Sequence, residues 1–307
     1  MAPHLVLGAG LIGTELTRQL VARGDTITLV TRRGTELPGT AALARDASDA
    51  DGLIDAAAGA QTIFLCTNPP YADWAAQWPP IFAAAIAAAR ATGARLVVMG
   101  NLYGYGRAEQ PMTEHTPFQP AEGKGEIRAE GWRRIRAAQD RGEVRAVEVR
   151  ASDYVGPYAG ATAHLGRDFF AALLASKTAR VVGSPTEPHA WSYLPDIAAT
   201  LIAAADATAD SHWGRAWVVP STTRTRVEIA REINEAYGCA GRVARLPRGL
   251  LRAAGLVSGN LREVARSSYQ FEAPFLLDST ETERELGVSA TPWSEVLAAT
   301  VASYRTE

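Results

Sequence analysis

The chain has 307 residues, of which 47% are hydrophobic and 21% charged, with a formal net charge of -2. Such a chain can bury a large core in one domain or two unequal ones, and its mixed charges offer no basic surface for nucleic acid or anionic lipid. Its two cysteines lie too far apart for a disulfide framework or a zinc site. We therefore expect no nucleic-acid partner, no membrane partner and no metal. No export signal is recognisable, so we also expect a cytoplasmic location.

The first predicted strand, HLVLGA, runs directly into a glycine-rich turn. The pattern Gly8-x-Gly10-x-x-Gly13 follows this strand and opens a helix at LIGTELTRQL. Glycines at this spacing allow a tight turn, close approach to a pyrophosphate and close packing of helix on strand, while the helix N-terminus supplies amide hydrogens. The turn predicts a dinucleotide site formed by Gly8, Gly10, Leu11, Ile12 and Gly13.

The end of the second predicted strand, DTITLV, indicates which dinucleotide binds. It continues into Thr31, Arg32 and Arg33, where NAD-binding proteins usually carry an acidic residue for the ribose hydroxyls. Two adjacent guanidinium groups suit the 2′-phosphate of NADP. The alternative is that they are solvated surface arginines and that NAD is tolerated. Asp46, past the expected third strand, is either an acceptor for the adenine amino group or a turn aspartate.

Further strands are predicted at TIFLCT, RLVVMG and RAVEVR, with alanine-rich helices between them. This alternation indicates an α/β fold with a parallel sheet covered by helices. The helix WAAQWPPIFAAAIAAARATG should have its prolines in its first turn or just before it. Its stretch from Ala83 to Ala91 is small and apolar on nearly every side, so we expect it to pack against the sheet or another subunit. The alternative is that these alanines only favour helix formation.

The pattern changes after Arg150, at the glycine-rich loop ASDYVGPYAGATAHLG. Helices and strands then mix irregularly. We predict a dinucleotide-binding domain over residues 1–150 and a mainly substrate-binding region over residues 151–307. Segments near residues 190–235, namely the helix DIAATLIAAADA and the strand AWVVP, are expected to return to the first domain.

Five motifs together carry a family resemblance: the GAGLIG turn, the Asp46 segment, the NLYGYG turn, RASDYVGP and WSYLPDIA. In this order, and over nearly the whole chain, the sequence resembles the extended short-chain dehydrogenase/reductase family, in its NAD-dependent epimerase/dehydratase group. The resemblance implies a Rossmann-type doubly wound parallel sheet with a smaller C-terminal α+β substrate domain and an active site between them. It also implies a homodimer formed by the alanine-rich helix and the helix GEIRAEGWRRIRAAQ.

The resemblance places the catalytic residues at two points where this chain departs from the family. The family's serine or threonine before the Tyr-Gly turn falls at Met99 or Gly100, with the polar Asn101 beside it. The family's Tyr-x-x-x-Lys pair aligns with Lys124-x-x-x-Arg128, whose spacing keeps both side chains on one helical face. We expect Arg128 to hold the nicotinamide ribose, and Lys124 to face the substrate as a general acid or an electrostatic clamp. The alternative is a merely solvated helix face.

Other side chains are candidates for the missing proton donor and for the substrate pocket. Tyr103 in the NLYGYG turn and Tyr105, which shares its face if the segment is extended, are rival proton donors, although a tyrosine is more often a packing residue. The resemblance places Asp153 beside the nicotinamide. Histidines in irregular segments are often structural, but they are also pH-sensitive acids and bases. The predicted substrate contacts are Tyr105, Tyr154, His164 and His189. Tyr193 and Asp196 are expected to be structural.

Two functions follow from these residues. The first is an NADP-dependent oxidoreductase or epimerase-like enzyme that acts on a small polar carbonyl or alcohol and lacks the usual Tyr-x-x-x-Lys pair. The second is an NADP-binding redox sensor or regulator without turnover, since a fold does not fix a function. A redox-neutral reaction that retains the cofactor lies between them. The glycine turn favours dinucleotide binding in every case.

Overall fold

The computed structural model, which describes residues 1–160, 163–247, 249–250, 256 and 258–305, is built around a seven-stranded sheet. The strands of this sheet are β1 (Pro3–Leu7), β2 (Thr26–Thr31), β3 (Thr40–Ala44), β4 (Thr62–Leu65), β5 (Arg95–Asn101), β6 (Ala146–Ala151) and β10 (Ala216–Val218). Their order is β10-β6-β5-β4-β1-β2-β3, and every neighbouring pair is parallel. The strand order reverses at the junction of β1 and β4, which confirms the predicted doubly wound parallel sheet.

Helices cover both faces of this sheet. One face carries α1 (Leu11–Ala22) and α6 (Leu194–Asp206), and the other carries α2 (Ala50–Ala56), α3 (Trp74–Thr92) and α4 (Gly123–Asp140). The strands of the buried centre are buried along nearly their whole length because both of their faces are covered. The segment DIAATLIAAADA forms α6, and AWVVP contributes β10, so both pack with the central sheet.

The structure corrects the predicted position of the prolines in α3. Pro79 and Pro80 lie inside the helix, beyond its first turn. They remove two N–H donors from the helix interior. The helix continues through them while Trp74 and Trp78, both nearly fully buried, anchor its first half against the core. The packing of α3 against the core therefore offsets the hydrogen bonds lost at the two prolines, which do not lie in the first turn, where a helix tolerates proline best.

The alanine-rich part of α3 has one buried face and one exposed face. Ala84, Ala85, Ala88 and Ala89 are buried against the sheet, whereas Ala83 and Arg90 are exposed in the single chain. Small side chains on the buried face let the neighbouring helix approach closely, and a Cβ added at Gly131 of α4 would lie 2.0 Å from the Phe82 ring. The alanines thus determine packing as well as favouring helix.

Smaller elements lie beyond the ends of the central strands. A three-stranded sheet contains β7 (Asp153–Val155), β9 (His189–Tyr193) and β11 (Thr222–Arg224), and a two-stranded sheet contains β8 (Thr178–Val181) and β12 (Arg242–Arg245). The accompanying helices are α5 (Arg167–Leu174), α7 (Arg226–Tyr237), α8 (Gly259–Arg266), α9 (Thr280–Leu286) and α10 (Trp293–Arg305). The division into residues 1–150 and 151–307 stays a prediction. Within the described ranges, each helix is too short or too polar to span a lipid bilayer.

Candidate functional site

A cavity of about 1100 Å³ opens at the carboxyl ends of the central strands. Its walls come from the residues that follow β1, β2, β4, β5 and β6, and its far side comes from β8, α5 and α8. Open parallel sheets bind their ligands at this edge, where the strand order reverses. The cavity joins most of the predicted site residues in one space, including Thr31, Asn101, Asp153, Tyr154 and His164.

The glycine turn forms one end of the cavity. Gly8 has a φ of +104°, and a Cβ there would lie 2.8 Å from the Thr67 backbone. A Cβ at Gly13 would lie 1.9 Å from the Gly8 carbonyl oxygen, so Gly13 serves close packing and does not itself line the cavity. Gly10 caps α1 without a side-chain hydrogen bond. The first amides of α1 can therefore receive an anion, and the turn fits a dinucleotide pyrophosphate.

Arginines surround the neighbouring part of the cavity. Arg32 and Arg33 line it directly after β2, and Arg45 lines it after β3. Asp46 also lines the cavity, but its Oδ1 accepts hydrogen bonds from the Ser48 hydroxyl at 2.6 Å and the Ser48 amide at 2.9 Å. These hydrogen bonds, with a smaller effect of Arg32, hold the pKa of Asp46 below its usual value. Asp46 is thus a turn aspartate that also borders the site.

Arg128 is a buried member of the cavity wall. Its guanidinium donates to the Met99 carbonyl, lies 3.7 Å from Glu148 Oε1 and stacks 4.2 Å from the centroid of the Trp78 ring. Burial lowers the pKa of Arg128, and Glu148 opposes that shift. The side chain is only 4% exposed. The alternative of a solvated helix face is therefore wrong, and a guanidinium faces the site where the family resemblance places a lysine.

Lys124 is buried too, but it does not line the cavity. Its Nζ donates to the Glu263 carbonyl at 2.8 Å and to Ser267 Oγ at 2.6 Å, and Glu122 Oε2 lies 3.7 Å away. Nearby carboxylates and the end of α8 hold the ammonium in this position. The prediction that Lys124 faces the substrate is corrected: it connects α4 to α8, whose residues Leu261 and Val264 do line the cavity.

Replacing Lys124 with methionine is expected to loosen α8. The change removes two hydrogen bonds from a charged donor, so we expect amide hydrogen exchange over residues 259–267 to accelerate by about tenfold or more. Exchange followed by mass spectrometry measures this directly. Arg133→Met on the exposed face of the same helix is the control, since its ion pairs with Glu126 and Glu130 lie at the surface and contribute little. Unchanged exchange in Lys124→Met would show that Lys124 does not hold α8.

Tyr103 lines the cavity, as its prediction as a proton donor requires. Its hydroxyl lies 2.9 Å from that of Tyr71, a second cavity residue that the sequence reasoning did not identify. Burial raises the pKa of Tyr103 well above its ordinary value, and burial also raises the pKa of Tyr154. These phenols are therefore protonated at neutral pH and can donate a proton or a hydrogen bond.

Tyr105 does not belong to this site. Its side chain is fully buried, and its hydroxyl accepts a hydrogen bond from Arg150 at 2.6 Å on the other side of the NLYGYG turn. The predicted same-face relation of Tyr103 and Tyr105 assumed an extended segment, but the structure forms a short 3-10 helix over Tyr103–Tyr105. A 3-10 turn sends the two side chains apart, which corrects the prediction of Tyr105 as a substrate contact.

Asp153 is the centre of a polar cluster at the far wall. His189 Nε2 lies 2.8 Å from Asp153 Oδ2, and His164 Nε2 lies 4.0 Å from Oδ1. Asp153 and His164 line the cavity, whereas His189 stacks between Phe271 and Phe275 behind Asp153. The prediction of His189 as a direct substrate contact is therefore corrected to a residue that orients Asp153. Burial lowers the pKa of His164 to about 4, so this imidazole is neutral at pH 7.

Several residues that line the cavity were not predicted from the sequence. They are Tyr71 after β4, the strand segment 178–182, and Asn260, Leu261 and Val264 of α8. Tyr71 had a usable signal, because it follows a predicted central strand and ligands bind beyond the carboxyl ends of such strands. The segment from β8 and the helix α8 had none, because each reaches the cavity only through long-range packing.

Comparison with known proteins agrees with this geometry. Residues 4–219 match the model of the NAD dependent epimerase/dehydratase family. The search of curated proteins found no match. The structure is similar to MoeE5 in complex with UDP-glucuronic acid and NAD, with 20% identity, a TM-score of 0.76 and 99% of each chain covered.

Two further solved structures share this fold. One is the dTDP-glucose 4,6-dehydratase of Bacillus anthracis in complex with NAD, with 14% identity, a TM-score of 0.79, and 100% of this chain and 97% of that chain covered. The other is the UDP-glucose 4-epimerase of Thermotoga maritima with UDP-glucose, with 14% identity, a TM-score of 0.78 and 99% of each chain covered. At such identities the likeness concerns the fold. The family match spans more than two thirds of the sequence, and it confirms both the suspected family and the prediction of an oxidoreductase-type enzyme: the chain belongs to the NAD-dependent epimerase/dehydratase family.

Proposed function

We propose that the protein is an NADP-dependent oxidoreductase that interconverts a carbonyl and an alcohol on a small polar substrate. One observation carries this proposal: a single cavity joins the glycine turn at one end to Arg128, Tyr103 and Asp153 at the other. The glycine turn suits a dinucleotide, and the three side chains offer a cation, a phenol and a carboxylate around a substrate. The chain uses these groups in place of the family's Tyr-x-x-x-Lys pair.

The residues of the glycine turn and the nearby arginines would hold the dinucleotide. When bound, the cofactor supplies or accepts the hydride. Gly8, Gly10 and the first amides of α1 would contact its pyrophosphate, and Arg128 would donate hydrogen bonds to the nicotinamide ribose. A guanidinium keeps its proton throughout, so Arg128 binds and orients but does not relay protons. The transferred proton must then come from another group, and a protonated phenol on the cavity wall supplies it.

The preference for NADP rests on the arginines after β2 and β3. Arg32, Arg33 and Arg45 border the same end of the cavity, and guanidinium groups bind phosphate through paired hydrogen bonds. The solved relatives named above contain NAD, so a preference for NADP would distinguish this chain from them. An acidic side chain for the ribose hydroxyls, which NAD-binding proteins of this fold usually carry, is replaced here by arginine.

A carbonyl panel tests the reaction. Purified protein is mixed with NADPH and a series of aldehydes and ketones, and the loss of NADPH absorbance is followed. We expect reduction of at least one polar member, with a rate that falls when Tyr71 and Tyr103 are both replaced by phenylalanine. Tight NADPH binding without reduction of any member would instead favour the redox sensor or regulator.

The exposed faces of α3 and α4 support a homodimer. Ala83 and Ala91 are exposed on α3, and Glu130 and Arg134 lie on the outer side of α4. Small residues on one helix beside charged residues on the next suit a four-helix contact between two copies. Light scattering at micromolar concentration should give the mass of two chains, and Ala83→Arg should shift it towards one. A wild-type monomer would contradict this proposal. The cytoplasmic location stays a prediction.

A further inference from the structure

Two tyrosine hydroxyls meet at the wall of the cavity. Tyr71 follows β4 and Tyr103 follows β5, which are neighbouring strands of the central sheet, and both side chains line the cavity. Their phenol oxygens lie 2.9 Å apart, so one hydroxyl donates a hydrogen bond to the other. The pair therefore lies at the edge of the sheet where a substrate beside the cofactor would be found.

The surrounding residues hold this pair in place. The Tyr71 ring lies 5.1 Å from the ring of Trp74, whose indole N–H donates to the Pro69 carbonyl at 2.9 Å. The Tyr103 amide donates to Asn101 Oδ1 at 3.2 Å. The Lys124 ammonium lies 4.6 Å from the Tyr71 ring centroid. Proton transfer requires a fixed orientation of the donor, and these contacts provide it.

We propose that Tyr71 is the catalytic residue that donates the proton to the substrate oxygen, and that Tyr103 stabilises the phenolate that Tyr71 then carries. The proposal rests on the proposed function, since it needs a carbonyl substrate. A bound cofactor would supply the hydride to the carbonyl carbon, and Tyr71 would give its proton to the carbonyl oxygen. The electrons of the broken O–H bond stay on the Tyr71 oxygen, which accepts the Tyr103 hydrogen bond. Water returns the proton after the product leaves.

The environment of the two phenols supports this assignment of Tyr71 as the proton donor and Tyr103 as its hydrogen-bond partner. Burial raises the pKa of Tyr71, and its hydrogen bond with Tyr103 opposes that shift. Burial also raises the pKa of Tyr103, and the same hydrogen bond raises it further. Tyr71 is therefore the member of the pair that loses its proton first, and Tyr103 is the member that keeps its proton to donate.

The kinetic test compares Tyr71→Phe and Tyr103→Phe with a control, Tyr269→Phe. Tyr269 is buried off the cavity, and its hydroxyl has no hydrogen-bond partner within the described residues. With NADPH and the carbonyl that wild type reduces fastest, Tyr71→Phe should lower kcat by about 100-fold or more while NADPH affinity stays near wild type. Tyr103→Phe should lower kcat less and move the alkaline limb of the pH profile to higher pH. The control should match wild type.

A larger loss of kcat in Tyr103→Phe than in Tyr71→Phe would overturn the assignment, as would wild-type kcat in Tyr71→Phe. The pair is also measured without substrate, by tyrosinate absorbance during a pH titration. In Tyr103→Phe, the titration of Tyr71 should move to higher pH, because its hydrogen bond with Tyr103 is lost. No such shift should occur in the Tyr269→Phe control. A shift of this kind together with a wild type that reduces no carbonyl would refute the proposed function and the catalytic role with it. Absence of the shift would refute only the hydrogen-bonded pair.

Discussion

Replacing Gly13 with alanine is expected to weaken dinucleotide binding while most of the sheet stays folded. The new Cβ would lie 1.9 Å from the Gly8 carbonyl oxygen, so the turn and the start of α1 must move apart. Overpacking of this kind costs about 1–3 kcal/mol, which corresponds to roughly 5- to 150-fold in affinity when the strain falls on the binding turn. Titration of NADPH by its fluorescence, beside thermal unfolding, measures both effects.

The control for this prediction is Gly123→Ala at the start of α4. A Cβ at Gly123 has no atom within 4 Å, and the backbone there does not require glycine. This variant should bind NADPH like wild type and unfold at a similar temperature. Wild-type affinity in Gly13→Ala would mean that the cofactor does not sit on the glycine turn.

Replacing Arg128 with methionine is expected to weaken both the cofactor complex and the fold. The guanidinium donates to the Met99 carbonyl and pairs with the buried Glu148, so its loss should lower the free energy of unfolding by about 1–3 kcal/mol. Glu148 also pairs with Arg150 at 2.6 Å, which limits the cost. If Arg128 holds the nicotinamide ribose, NADPH affinity should fall by about tenfold or more.

Two further variants separate these effects. Glu148→Gln removes the carboxylate partner of Arg128 and of the buried Arg150 but keeps the Arg128 guanidinium, so it should lower the stability while NADPH affinity stays near wild type. Arg128→Lys restores the residue type implied by the family resemblance and should retain much of the affinity, because an ammonium can also donate to ribose hydroxyls. If all three variants bound NADPH like wild type, Arg128 would be a structural residue only.

The sequence was most informative where one local pattern specifies the structure. Gly8 and Gly13 occur between an apolar strand and a helix, and the backbone conformation of that turn requires them whatever surrounds it. The buried strands were recognisable from their apolar runs. The strand β3, Thr40–Ala44, was not, because it lies at the sheet edge with half-exposed alanines of weak strand preference.

The side-chain directions of the site were less predictable. Lys124 and Arg128 share one face of α4, as their spacing requires, but Arg128 reaches the cavity while Lys124 turns towards α8. That difference depends on Glu122 and on a helix more than a hundred residues away, and no local pattern contains it. Tyr71 and Tyr103 likewise meet only because β4 and β5 are neighbours in the sheet.

Paired titrations of NADPH and NADH against wild type and Arg32→Ala test the central claim most directly. The claim is that the cavity at the carboxyl edge of the sheet binds NADP, with Arg32 and Arg33 at the 2′-phosphate. A charge-assisted hydrogen bond contributes about 1.5–3 kcal/mol, so wild type should bind NADPH roughly tenfold or more tightly than NADH. Arg32→Ala should weaken NADPH and leave NADH nearly unchanged. Equal affinities of wild type for the two nucleotides, or a variant that weakens both alike, would contradict the account.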